Sequence, residues 1–69
     1  MGLFKDLELK KAIVAKLDAY CTYHGLQVTK AVVVDHKETD GSYIYEFYVE
    51  GSSFKIICFK HNNSVIAID

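Results

Sequence analysis

The hydrophobic positions change period once along the chain, and the change divides it into two parts. Residues from about Leu3 to His24 follow the helical period. At 100° per residue, Leu9, Ile13, Val14, Leu17, Tyr20, Cys21 and His24 fall in one broad stripe, and Glu8, Lys11, Ala15, Asp18 and Thr22 lie opposite. Asp6 and Lys10 stand at i and i+4, where opposite charges support a helix. Gly25 follows directly and suits the left-handed residue that ends one.

Beyond Gly25 the period becomes two. The β-branched run Leu26–Asp35 reads as a first strand, and "HKETDGS" as its polar connection, with Asp40-Gly41 as the turn. Tyr43–Glu50 alternates as a second strand, Phe54–Lys60 forms a third, and "VIAID" a short fourth. "EGSS" is a tight connection, and Asn62-Asn63 suit the positive φ of a type I′ hairpin. Short connections make sequential strands neighbours. The expected fold is therefore α+β: an N-terminal helix on one face of an antiparallel meander of order 1-2-3-4, α-β-β-β-β, as one domain over residues 1–69.

One helix covers one face of such a sheet, and the other face should be polar. Here it is not. If Tyr45, Phe47, Val49, Phe54, Ile56 and Cys58 point to the helix, then Ile44, Tyr48, Ile57 and Phe59 point away from it. Apolar side chains gathered on an open face mark an interface, so these four residues are the expected protein-binding surface. Strands one and four add apolar residues to both faces. In strand one Lys30 interrupts the alternation, so its facing set stays open and a bulge can shift it.

Composition narrows the function classes. Sixty-nine residues hold one small core, and at 51% hydrophobic and 13% aromatic the chain is rich enough to fold. The net charge of −1 is too small for a DNA mimic or a general polyanion binder. Every basic residue is lysine, and arginine, the bidentate reader of guanine and phosphate, is absent, as are proline and tryptophan. Abundant Lys and Ile without Arg fits an AT-rich bacterial or phage genome. The start "MGLFKDLELK" lacks the apolar core and cleavage site of a secretory leader, and Asp6 stands where a myristoylation pattern wants Ser or Thr. No run reaches membrane-spanning length. A cytoplasmic protein with reduced thiols and no membrane partner is expected.

Three kinds of chemistry bear on this picture. Cys21-x-x-His24 and Cys58-x-x-His61 form a Cys₂His₂ set by residue type. The first pair shares a helix face, but residues three apart on a strand point to opposite faces, so a zinc site is the lesser alternative and no cofactor is expected. Both cysteines read as packing residues, placed to face each other between helix and sheet. Cys21 has His24 on its helix face, but a pair aimed at the core is not an activated dyad, Ser52 and Ser53 match no nucleophile elbow, and no glycine-rich phosphate loop occurs, so no catalytic residues are assigned. Tyr43 and Tyr45, with Lys30, Lys55 and Lys60, form an alternative single-strand nucleic-acid surface, on which bases stack and lysines meet phosphates. Glu46 and Glu50 weigh against it. The expected function is a non-catalytic protein-binding module of inhibitor or adaptor type, phage-encoded by composition. It would bind a protein partner or a second copy of itself through the face or edge of its sheet.

Overall fold

The computed structural model describes the backbone of residues 2–69 and the side chains from residue 7 onward, so the Asp6–Lys10 pair lies outside the described residues. Helix α1 (Gly2–His24) is followed by strands β1 (Val32–Glu38), β2 (Ser42–Val49), β3 (Ser52–Phe59) and β4 (Val65–Ile68). The strands pair antiparallel in the order β1-β2-β3-β4, as the sequence predicts. Among the described residues no helix is long and apolar enough to cross a membrane.

The helix ends where Gly25 takes a φ of +71°. The Leu26 N–H then donates to the Cys21 carbonyl at 2.8 Å and the Gly25 N–H to the Thr22 carbonyl at 3.3 Å, the two bonds of a Schellman cap. That cap turns Leu26 back onto the core, so the chain does not enter the sheet at once. Residues Val28–Lys30 form a 3₁₀ turn instead, and β1 begins six residues later than the β-branched run suggests. Leu26, Val28 and Ala31 are spent packing against the core. β1 then runs on through the polar His36, Lys37 and Glu38, because an edge strand exposed on both faces has no apolar requirement there. The Thr39 hydroxyl closes its hairpin, accepting the Ser42 N–H at 3.0 Å.

Two other connections differ in detail. The β2–β3 turn has positive φ at both Glu50 (49°) and Gly51 (88°), the pattern of a type I′ turn. Glu50 holds this conformation while its carboxylate accepts the Gln27 N–H at 3.0 Å and lies 3.8 Å from Lys30. The β3–β4 loop is longer than a type I′ turn. Only Asn63 has positive φ, and the Phe59 N–H reaches across to the Ser64 carbonyl at 2.8 Å.

The core lies between helix and sheet. Ile13, Leu17 and Cys21 of α1 pack on Phe47, Val49, Phe54 and Ile56, with Val65 and Ala67 of β4 beside them. Phe54 and Ile56 are 2% and 0% exposed. An aromatic column runs through this layer. Tyr45 and Phe47 stand 6.5 Å apart, Phe47 and Phe54 5.9 Å, and Tyr20 stacks on Phe54 at 3.9 Å. The helix lies against β3 and β4 and leaves the β1 side of the same face uncovered. Val14 and Val33, both apolar and both on the helix side, therefore remain about half exposed.

Candidate functional site

The register of the sheet assigns every strand residue to a face. Tyr43 lies opposite Cys58, Tyr45 opposite Ile56 and Phe47 opposite Phe54, and these point to the helix. The intervening pairs, Ser42 with Phe59, Ile44 with Ile57, Glu46 with Lys55 and Tyr48 with Ser53, point away. β4 extends the pattern, with Ile66 opposite Ile57 and Ile68 opposite Lys55 on the outer face. In β1 the pairing shifts between Val33 and Asp35, so Val34 is an extra, bulged residue. Val32, Asp35 and Lys37 fall on the outer face, while Val33 and His36 fall on the helix side.

Ile44, Tyr48, Ile57 and Phe59 thus share one face of the sheet, and none of them is in the buried core. Ile44, Ile57 and Ile66 form a continuous cross-strand row, with Phe59 on one side and the row Asp35–Glu46–Lys55–Ile68 on the other, beyond which lie Tyr48 and Val32. Tyr48, Ile66 and Ile68 are 40–46% exposed. The sequence pattern singles out four members of this surface and leaves out Ile66, Ile68 and Val32. Their parity depends on the length of the β3–β4 loop and on the β1 bulge, and neither is visible in hydrophobic alternation. The face also carries charge: Glu46 stands between Lys55 on β3 and the like-charged Asp35 on β1, and Lys37 follows beside Ile44.

The residues of the nucleic-acid alternative come together only in part. Tyr43 and Tyr45 lie under the helix side, with Tyr45 stacked at 5.9 Å on His36, while Lys55 stands on the outer face. Lys60 reaches over Tyr43. Its Nζ lies 2.6 Å from Glu38 and 4.9 Å from the Tyr43 ring centroid, and the Glu38 hydrogen bond raises its pKa. Lys30 sits in the 3₁₀ turn beside Glu50.

The Cys-x-x-His pairs are likewise separated. Cys21 is 1% exposed in the core, whereas His24 lies outside it with its ring 4.2 Å from that of Tyr20. Cys58 is buried at the other end of the helix, lining a cleft of about 180 Å³ with Glu8, Leu9 and Ala12, while His61 stands in the loop beside Phe59. The nine residues from Ala12 to Cys21 rise about 13 Å along the helix. The two thiols therefore do not face each other, in contrast to the sequence expectation. Burial pushes both thiol pKa values up, with Asp18 and Glu50 adding to the effect at Cys21, so both sulfurs are held as unreactive thiols. Among the described residues no three His, Cys, Asp or Glu side chains converge to hold a metal ion.

A groove that the sequence pattern does not announce opens on the helix side. It has a volume of about 310 Å³ and lies between α1 and the uncovered half of the sheet, with Val14, Leu17, Val33, Tyr45 and Phe47 on its walls. The signal for it was present in the apolar residues at positions 14 and 33, but only the lateral placement of the helix leaves them open. Compared with protein-family models, curated proteins and solved structures, the chain matches none.

Proposed function

We propose that this protein is a non-catalytic binding module that docks on another protein surface through the outer face of its sheet, as an inhibitor or adaptor does, in the cytoplasm. The supporting observation is the outward Ile44–Ile57–Ile66 row, partly exposed at Ile44 and Ile57 and open at Ile66, with the exposed Tyr48 and Ile68 and the partly exposed Phe59 on the same face. The nearly neutral charge of that face, with Glu46 opposite Lys55, suits a protein surface better than a polyanion. Docking by the face is favoured over strand addition at an edge. β1 carries a bulge and the charged Asp35, Lys37 and Glu38, and β4 is four residues long, all features that discourage edge pairing.

The test compares Ile57→Asp and Phe59→Asp with the edge variant Val34→Lys. The reading expects both aspartate variants to keep wild-type helical circular dichroism and to lose the bound protein, while Val34→Lys retains it. Loss with Val34→Lys alone would move the site to the β1 edge. Unfolding of both aspartate variants would make these side chains part of the core and remove the docking surface.

A further inference from the structure

The groove on the helix side changes character from one end to the other. Leu9 and Ala12 share a cleft with Tyr43 and Cys58, while Tyr20 stacks on Phe54, so the helix runs from the Tyr43 end of the sheet toward Phe54. Phe54 pairs with Phe47, and Phe47 with Val33. Along the groove, Leu17, Val33 and Phe47 therefore stand at one end, and Lys10 and Tyr45 at the other.

The first end is hydrocarbon, and the second gathers groups that donate protons. Among the described residues Lys10 is the one charged side chain on the groove walls. Tyr45 adds a phenol, and His36 stacks on its ring at 5.9 Å. Glu38, the acidic residue that follows His36 on the same face of β1, is held 2.6 Å from Lys60, and Asp35 lies on the opposite face. The Lys10 end thus complements an anion, and a carboxylate matches an ammonium and a phenol as hydrogen-bond donors.

Size limits the occupant. A volume of about 310 Å³ lies at the small end of ligand pockets, which run roughly from 300 to 1,000 Å³. At the ~30 Å³ that one water occupies, it holds on the order of ten heavy atoms. From Lys10 to Leu17 the helix rises about 11 Å. These dimensions suit one short chain, not a protein helix, which is itself about 10–12 Å across. A second copy would offer the free face of its own helix, and that face sets Glu8, Lys11, Asp18 and Thr22 against an apolar wall.

We infer that the groove binds a free medium-chain carboxylate amphiphile, a fatty acid of about eight carbons, with its carboxylate at Lys10 and Tyr45 and its chain along Val14, Val33 and Phe47. Val14 and Val33, each about half exposed, are the side chains that such a chain covers. The site is separate from the outer face and does not depend on the docking reading.

The experiment titrates the protein with octanoate, hexanoate, octanol and octylammonium below their micelle concentrations and follows the backbone amides by NMR. Octanoate should saturate and move the amides of Val14, Val33 and Tyr45. Hexanoate should bind about tenfold more weakly, since each buried methylene contributes a factor of about four. Lys10→Glu should weaken octanoate by about fivefold, leave octanol unchanged and reverse the preference toward octylammonium. Val33→Trp, at an exposed position, should keep wild-type circular dichroism and abolish the shifts by filling the groove. Absence of saturation by millimolar octanoate, equal binding of octylammonium, or no dependence on chain length would overturn the site. Shifts centred on Ile57 and Ile66 would assign the amphiphile to the outer face and overturn it too. A bound protein that is lost with Val33→Trp but kept with Ile57→Asp would give the groove to a protein partner, against the fatty-acid assignment.

Discussion

The two faces of the sheet are built from the same strands, yet they have opposite fates. On the helix side Phe47, Val49, Phe54 and Ile56 are at most 5% exposed. One residue further along the same strands, Ile57, Phe59 and Tyr48 remain outside the core. Apolar character does not distinguish these residues, although Ser42, Glu46, Ser53 and Lys55 also point outward. Coverage by α1 does, and even that is partial, since the helix leaves Val33 and Val14 open beside β1. An apolar strand residue reports burial only when the element that covers it is known.

The largest expected effect breaks the covered face. Phe54→Ala or Ile56→Ala should cost about 3–5 kcal/mol, because a fully buried large side chain is lost and a cavity remains. A core of this size supplies only about 3–5 kcal/mol of net stability. Chemical denaturation should then find either variant largely unfolded at 25 °C. Ile57→Asp on the open face should cost less than Ile56→Ala in the same measurement, because Ile57 is only partly buried. Equal losses at Ile56 and Ile57 would erase the distinction between the faces.

Tyr20 gives a pH-dependent test of the covered side. Its hydroxyl donates to the Asp69 carboxylate while its ring stacks on Phe54. That hydrogen bond, then burial, pushes its pKa up to about 12 from an ordinary value of 10.0. The folded state holds the proton more tightly than the unfolded state. The contribution is therefore complete below pH 10 and is lost as pH rises toward 12. Tyr20→Phe should lower stability by about 1 kcal/mol at neutral pH and flatten the decline across that alkaline window in urea melts.

Two smaller effects sharpen the picture. Glu50→Ala should cost about 1 kcal/mol, since it removes the acceptor for the Gln27 N–H and keeps a side chain at positive φ. Glu50→Gly should cost less, because glycine relieves that conformation. Cys21 and Cys58 should resist alkylation in the native protein and react together on unfolding, as buried high-pKa thiols do. Rapid native labelling of either would contradict its burial.

Much of the architecture was legible in the residues themselves. The helix and its end at Gly25, the strand order and the outward parity of Ile44, Tyr48, Ile57 and Phe59 follow from local periods and short connections. The start of β1 was not legible, because Leu26 and Val28 have the chemistry of a strand but pack against the core as a capped linker. Nor was the separation of Cys21 from Cys58. The pattern places both on the inner layer, and only the course of the helix across the sheet determines which end each occupies.

The sequence alone determined the elements and the alternation of their side chains, because helix caps, turns and periodicity act over a few residues. Tertiary structure decided which apolar surface is covered, since that depends on where one helix comes to rest on a sheet with two apolar faces. It also decided which residues share the open face. The bulge at Val34 and the length of the β3–β4 loop set the parity of Val32, Ile66 and Ile68, and a shift of one residue moves a side chain to the opposite face.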